Sequence, residues 1–270
     1  MSDLTWEAAV VWLRRQPEQA ELVRACYYDD PLIDAVKRFA DSGEWQAVRS
    51  WLPKPPGRVL DLGAGRGISS YALARDGWSV SALEPDPSEL VGAGAIRRLA
   101  AESALPIDVI RGWGEKLPCR NATFDVVYGR QILHHARDLQ ALCCEIVRVL
   151  KPGGLFMFTR EHVISRHEDL DTFLNAHPLH RFTGGEHAYR LEEYLAALRE
   201  AGLTVDRALN PFESEINLHP HTVMSVKTTL ARRYRLPWPW LISDGLLRWL
   251  GARSDVPGRA YTFVGRSHAR

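Results

Sequence analysis

Cysteine is scarce and poorly placed for cross-linking. The 270 residues hold four, Cys26, Cys119, Cys143 and Cys144, none of them in a C-x-x-C pair, and adjacent cysteines such as the last two seldom bridge each other. A disulfide scaffold and a cysteine-rich metal site are thereby excluded, and a reduced, cytoplasmic compartment is the expectation. Charge of one sign is lacking as well. The 34 basic residues face 33 acidic ones, a net charge of +1, so no global field points to nucleic acid or membrane. No apolar run reaches the ~18 residues of a membrane span, and the opening "MSDLTWEAAVVWLRR" lacks the basic-then-apolar order of a secretory leader. There is no internal repeat and no low-complexity stretch. What remains is an ordinary globular composition, with an apolar fraction of 46% that can fill a core.

Residues 1 to 52 read as helical, because "EAAVVWLRR", "DPLIDAVKRFADSG" and "EWQAVRSWL" place apolar residues three or four apart. "PKPPG" breaks that pattern. From Arg58 short β-branched runs alternate with helical ones: "RVLDL", a helix over 68–75, "SVSALE", a helix over 87–103, "IDVI", "FDVVYG", a helix over 138–150 and "GLFMFTR". Such alternation predicts an α/β domain, a parallel sheet with helices on both faces. A histidine-rich interruption follows at about 161–189, then helix "LEEYLAALREAG" and strand "LTVDRAL". A second interruption covers about 211–259, and "AYTFVGRS" reads as the last strand. The expected organisation is a helical cap over 1–52 and one α/β domain over 53–270 carrying the two insertions. Gly92 and Gly94 fall inside the helix expected over 87–103, where each costs ~1 kcal/mol relative to alanine. Close packing, or a helix that starts after Gly94, would account for them.

The stretch "VLDLGAGRG" ends a strand at Leu62 and spaces Gly63, Gly65 and Gly67 at alternate positions. Glycine there permits positive φ and lets a ligand approach the backbone. A dinucleotide fingerprint needs a third glycine at 68 or 70, occupied by Ile68 and Ser70; this argues against an NAD-dependent oxidoreductase, and no G-K-[ST] follows for a phosphate loop. A smaller nucleoside is favoured. The next strand ends at Glu84, whose carboxylate suits a ribose diol and repels a 2′-phosphate; the plainer alternative is a strand-end acid leading into a helix capped by Asp86 or Ser88.

Taken in order, "VLDLGAGRG", "LEPD", "GEKLP", "FDVVYGRQILHH" and "EIVRVLKPGGLF" resemble the class I S-adenosylmethionine-dependent methyltransferases, over residues 58 to 160. The resemblance implies a Rossmann-like, seven-stranded, mostly parallel sheet with an antiparallel last strand, and S-adenosyl-L-methionine as cofactor. It implies that Asp61 and the backbone of Gly63, Ala64, Gly65 and Gly67 hold the methionine portion. Glu84, with Pro85 beside it, would hold the ribose. Trp113, Gly114 and Glu115 would flank the adenine, and Gly129 and Arg130 would face the sulfonium. One position departs from the pattern: Trp113 stands where many relatives carry an adenine-binding Asp, and would either stack on the adenine or pack in the core.

Methyl transfer to a hydroxyl calls for a base, and histidine suits that role near neutral pH. Five of the ten histidines, His162, His167, His177, His180 and His187, lie between residues 160 and 190. The candidates are Arg160, Glu161, His162, His177 and His180 as base or acceptor ligands, with Gly184 and Gly185 as lid hinges. A metal held by these histidines and a plain solvated loop are the competing readings; their spacing lacks a tight metal pattern, and no metal ligand is assigned. His134 and His135 are read as packing residues. Residues 227 to 259 carry seven basic residues against two acidic ones, a local charge of +5, together with Trp238, Trp240 and Trp249. The favoured reading is an amphipathic helical pair packed on the sheet and walling an acceptor pocket, with a docking surface for an anionic glycan or a peripheral membrane contact as the alternative. No basic stripe or zinc finger points to nucleic acid. The expected activity is methylation of a small-molecule or sugar acceptor, at oxygen; the rival is a non-catalytic binder of S-adenosylmethionine or S-adenosylhomocysteine.

Overall fold

A computed structural model of the chain describes residues 5–176, 179 and 187–268. His177, His180, Gly184 and Gly185 lie outside the described residues. Four helices open the chain, α1 (Trp6–Arg14), α2 (Ala20–Ala25), α3 (Leu32–Ala40) and α4 (Gly43–Arg49). Thr5 caps α1 by accepting from the Ala8 N–H, and Ser42 caps α4 by accepting from the Trp45 N–H, each satisfying a donor that a helix start leaves orphaned.

Then β1 (Arg58–Leu62), α5 (Ile68–Arg75), β2 (Ser79–Leu83), α6 (Ala93–Ser103), β3 (Ile107–Ile110), β4 (Phe124–Arg130), α7 (Leu139–Val149) and β5 (Leu150–Ile164) alternate. They are followed by α8 (Leu170–Ala176), the two-residue β6 (Tyr189–Arg190), α9 (Leu191–Glu200) and β7 (Leu203–Leu209). Short α10 (Glu215–Leu218), α11 (Val223–Arg233) and α12 (Asp244–Ala252) precede β8 (Arg259–Ser267). The sheet runs β3-β2-β1-β4-β5-β8-β7, with β6 pairing the far end of β5. β8 is antiparallel to both β5 and β7, and the other pairings are parallel. The expected seven strands and antiparallel last strand are therefore present, with β6 as an addition. The order reverses between β1 and β4, which sets a crevice beyond their carboxyl ends where open α/β sheets bind ligands.

The strands are apolar on both faces, as a covered parallel sheet requires. Val59, Val126, Tyr128, Leu155 and Met157 face one side, with Phe39, Trp45 and Val48 of the N-terminal helices and Leu73 of α5. Leu60, Leu62, Val127, Phe156 and Phe158 face the other, with Ile146 of α7 and Leu198 of α9. α3 and α4 are thus built into the main core. Only α1 and α2 gather a cluster of their own, Ala9, Val10, Leu13 and Val23 with Val91 and Leu179.

Three local expectations shift. β5 continues past Arg160, which takes φ +61 at a bulge opposite β8, so Glu161 to Ile164 belong to the strand, Glu161 to Val163 pairing with β8 and Ile164 with β6. α6 begins at Ala93 with Gly92 before it. A side chain at Gly92 would run into the Asp86 backbone, so packing accounts for that glycine, whereas one at Gly94 would meet only the end of the exposed Glu89 side chain, which can swing away. Ala231 of α11, Ile242 of the connection and Leu247 of α12 are buried and form a small cluster with Phe212 and Leu230, while the tryptophans of this segment are exposed.

Candidate functional site

The turn after β1 is held in an unusual backbone shape. Gly63, Gly65 and Gly67 take φ of +66, +55 and +87, the left-handed region that costs any other residue ~1–2 kcal/mol. The Ala64 N–H donates to the Leu83 carbonyl at 3.0 Å, tying the turn to β2. A side chain at Gly63 would strike Ile132, and one at Gly67 would crowd Leu99 at 3.2 Å. At Gly65 an added Cβ would meet nothing within 4 Å. The middle glycine therefore faces open space, as a backbone cradle for a ligand must.

Glu84 joins this cradle directly. Its carboxylate is buried and accepts the Gly65 N–H at 2.8 Å and the Asp86 N–H at 3.0 Å, with Pro85 between. Burial pushes its carboxyl up to about 7, against the pull of those two N–H groups. Asp61 turns the other way, into α5, where its carboxylate accepts the hydroxyls of Ser69 at 2.8 Å and Ser70 at 2.5 Å. Burial raises it to about 6 despite the serines. Its observed partners clamp the first turn of α5 to β1.

Beyond β3, Gly114 lies so close to Leu142 that a Cβ would come within 2.6 Å. Trp113 is 57% exposed, which removes the core alternative, and the Arg137 guanidinium lies 4.8 Å from its ring centroid. The carboxylate of Glu115 accepts the Arg137 N–H at 2.9 Å. The loop thus offers one large aromatic surface beside the cradle strands.

At the end of β4, Gly129 packs under Ile132 and Phe158, and Arg130 is committed to a partner far away in sequence. Its guanidinium donates to both carboxylate oxygens of Glu44 on α4, at 2.7 and 3.2 Å, and to Gln131 Oε1 at 2.9 Å. Burial opposes the charge of Glu44, but Arg130 and then Arg160 overcome it and hold the carboxyl below its usual range. Burial likewise opposes the charge of Arg130, and Glu44 more than offsets that. Arg160 donates to the carbonyls of Ile216 at 3.0 Å and His219 at 3.1 Å. Arg66, inside the glycine turn, reaches back to the carbonyls of Tyr27 and Asp29 and to Asp30 Oδ1 at 2.6 Å. Two arginines of the ligand-facing edge therefore fasten the N-terminal helices over it. Sequence reasoning missed Glu44, since an acid in the first turn of an amphipathic helix looks like ordinary dipole complementation.

Glu161 and His162 follow on β5. Glu161 is fully buried and accepts from the N–H groups of Ile132 at 3.0 Å and His134 at 3.3 Å, with His134 Nδ1 at 2.7 Å. Burial raises its carboxyl to about 7. It organises the turn after β4, whose Ile132 underlies Gly63. His162 has Nδ1 3.0 Å from the Gly258 carbonyl and Nε2 3.2 Å from the Gln131 amide nitrogen. Because Gln131 Oε1 is taken by Arg130, its NH₂ faces His162, an arrangement that suits a ring accepting at Nε2 and donating from Nδ1 to the Gly258 carbonyl. His134 packs on His162 with ring centroids 4.7 Å apart, and on His135 at 4.3 Å. His167 lies 3.3 Å from Glu193 on the surface, and His187 packs on Tyr189. Of the described lid histidines, His162 alone is joined to the strand ends beside the cradle. Among the described residues no three His, Cys, Asp or Glu side chains converge as a metal-binding group. Two open depressions, lined in common by Trp78, Asp125 and Lys151, lie at the opposite edge of the sheet.

Comparison with known proteins agrees with this geometry. Residues 60–158 match the model of a methyltransferase domain. The chain is 29% identical over 169 residues to the Ubiquinone biosynthesis O-methyltransferase of Rhizobium etli (strain CIAT 652), covering 60% of this chain and 67% of that protein. It is 31% identical over 162 residues to the protein of the same name in Paramagnetospirillum magneticum (strain ATCC 700264 / AMB-1), covering 57% and 63%. The match thus spans about two thirds of these relatives' length. A crystal structure of a putative sarcosine dimethylglycine methyltransferase from Galdieria sulphuraria superimposes with a TM-score of 0.57 at 22% identity, over 89% of each chain; at that identity it speaks to the fold alone. With the strand order, the left-handed glycine turn and the matched domain in agreement, residues 60–158 form a methyltransferase domain, and the chain is similar to the class I S-adenosylmethionine-dependent methyltransferases.

Proposed function

We propose that the protein transfers a methyl group from S-adenosylmethionine to an oxygen of a small-molecule or sugar acceptor. The observation that carries this reading is Gly65, left-handed, open to the crevice and hydrogen-bonded to the buried Glu84 carboxylate. The names of the two relatives, both O-methyltransferases, support oxygen as the accepting atom. Bound S-adenosylmethionine supplies a methyl group already activated on sulfur, so the protein's task is alignment and exclusion of water.

The residues present fit that ligand. The backbone of Gly63 to Gly67 receives the methionine portion, and Glu84 accepts the ribose hydroxyls. Trp113, freed from the core and backed by Arg137, stacks on the adenine with Gly114 and Glu115 alongside. Asp61 acts at one remove, holding α5 and so the glycine turn. Arg130 with Glu44, and Arg66 with Asp30, close the N-terminal helices over the crevice. Glu161 positions the turn beneath Gly63. His162 is the base of this reading: its neutral Nε2 carries a lone pair, now directed at the Gln131 amide, and an acceptor hydroxyl that takes the place of Gln131 gives its proton to that nitrogen.

The competing reading, a binder without turnover, shares the cradle and lacks the transfer. Isothermal titration with S-adenosylhomocysteine, followed by assay of its release from S-adenosylmethionine over a panel of hydroxylated acceptors, separates the two. His162→Ala is expected to lower turnover ~10²–10⁴-fold with donor affinity unchanged. Donor binding with no release on any acceptor favours the binder.

A further inference from the structure

The segment from α11 through α12 leaves a large apolar surface uncovered. Tyr234, Trp238, Trp240 and Trp249 are 65, 57, 66 and 50% exposed, with Leu236, Leu241 and Leu246 exposed beside them. Trp238 and Trp240 stack with centroids 6.5 Å apart. The interior of the helical pair is already filled by Ala231, Ile242 and Leu247, so these larger groups have no place in the protein's own core. Several large apolar groups left exposed on one short segment point to an interaction site.

The same segment concentrates the protein's positive charge. Residues 227–259 account for +5, whereas the whole chain carries +1, so the remaining residues together carry −4. Arg232, Arg233 and Arg235 are exposed, and among the described residues no ion pair holds them. Lys227, by contrast, is paired with Asp244 at 2.6 Å.

We propose that this segment docks the protein on the surface of an anionic lipid bilayer. Tryptophan and tyrosine rings favour the headgroup boundary, where one part of the ring is dry and the other wet. The leucines enter the acyl region, and the arginines meet anionic headgroups. Neither helix is long enough to cross, since α11 has 11 residues and α12 has 9; the segment lies on the membrane. Charge complementarity favours lipid over a second copy, because pairing the face with itself would set Arg232, Arg233 and Arg235 of one copy against those of the other. The exposed leucines favour lipid over nucleic acid, whose phosphates and bases give them nothing to enter.

The segment leaves the sheet after Leu209 of β7 and returns at Arg259 of β8, both at the carboxyl edge that carries the cradle. It is tied there by the Asn210 amide, which donates to the Arg248 carbonyl at 3.1 Å, and α12 presses so closely that Gly251 has no room for a side chain against Asn210. Docking through this face brings the ligand-binding edge of the sheet toward the bilayer, so that an acceptor dissolved in lipid is within its reach.

The test is cosedimentation of the full chain with vesicles of phosphatidylcholine, alone or mixed with phosphatidylglycerol. Binding is read without the methyl donor and so stands apart from the proposed activity. The expected result is binding to the anionic vesicles that weakens with salt and with removal of phosphatidylglycerol. Each arginine near such a surface contributes a factor of about five, so Arg232→Glu/Arg233→Glu/Arg235→Glu, which removes three and adds repulsion, is expected to lower the partition constant at least about a hundredfold. Trp238→Ser/Trp240→Ser is expected to lower it at least about tenfold. Both variants should keep wild-type circular dichroism and wild-type affinity for S-adenosylhomocysteine. Should either misfold, quenching of the wild-type tryptophan fluorescence by brominated acyl chains reads the same contact without a substitution. The proposal is overturned by absence of binding to anionic vesicles without such quenching, or by binding that folded patch variants leave unchanged. A dimer dissolved by the tryptophan substitutions, or preference for single-stranded nucleic acid over vesicles, overturns it equally.

Discussion

Replacing Gly65 by alanine separates the two demands placed on the glycine turn. The backbone there is left-handed at φ +55, which costs an L-residue ~1–2 kcal/mol. No protein atom obstructs the new methyl group, since nothing lies within 4 Å of the added Cβ. The fold should therefore lose ~1–2 kcal/mol, a fall in Tm of about 2–4 °C per kcal/mol for a domain approaching this size. Donor binding should lose more than strain accounts for, because the methyl group occupies the space reserved for the ligand. Overfilling a packed contact costs ~1–3 kcal/mol, which makes binding about 5- to 150-fold weaker. Gly153 supplies a matched control. It takes φ +73 with nothing within 4 Å of an added Cβ, but it sits near the start of β5, at the opposite edge of the sheet. Gly153→Ala should show the same drop in thermal stability with donor affinity unchanged. Thermal unfolding and isothermal titration with S-adenosylhomocysteine on the two variants read both quantities. If Gly65→Ala binds as tightly as wild type, or if Gly153→Ala weakens binding as much, the cradle is misplaced and the reasoning fails.

Three further outcomes follow from the geometry. Burial holds the Glu84 carboxyl up to about 7, so in the free protein it keeps its proton below that pH and loses it above. Ribose hydroxyls donate to the charged form, and donor affinity should rise as pH climbs through about 7 and then level off; in Glu84→Gln the profile should be flat and the affinity ~1–3 kcal/mol weaker, and a steep profile in that variant would assign the titration elsewhere. Removing Glu44 leaves Arg130 buried without its carboxylate, so Glu44→Ala should cost ~3–5 kcal/mol in chemical denaturation, with part of the loss recovered in Glu44→Ala/Arg130→Met; a cost below ~1 kcal/mol would mean the pair does not fasten the N-terminal helices. Asp61→Asn keeps the size of the side chain but weakens its bonds to two serines, and should lower stability and donor affinity together, whereas a change in turnover alone would place Asp61 among groups touching the reacting atoms.

The strands of the α/β domain were legible because the chain marks them twice. Arg58–Leu62, Ile107–Ile110 and Leu203–Leu209 are short runs with apolar residues on alternating faces, bounded by residues that stop a strand. The cradle was legible for a related reason: positive φ at three alternate positions selects glycine, and that demand shows in the letters. What stayed hidden depends on contacts between distant residues. The Arg130–Glu44 pair joins β4 to a helix 86 residues earlier, and no periodicity records such a partner. β5 continues through Ile164 because β8 pairs with it from the far end of the chain, while the polar letters of "REHVIS" read locally as a loop. An amphipathic helix shows that it has an apolar face and not what that face meets. The tryptophans of 238–249 suit packing and docking alike in the letters; a separate small cluster fills the interior of that segment and leaves them exposed.

A crystal structure of the protein with S-adenosylhomocysteine tests the central claim without intermediaries. The account requires the nucleoside over Gly65, its ribose hydroxyls within hydrogen-bonding distance of Glu84 and its adenine against Trp113. Density for the ligand at any other place, with the space above Gly65 left vacant at saturating concentration, would contradict it.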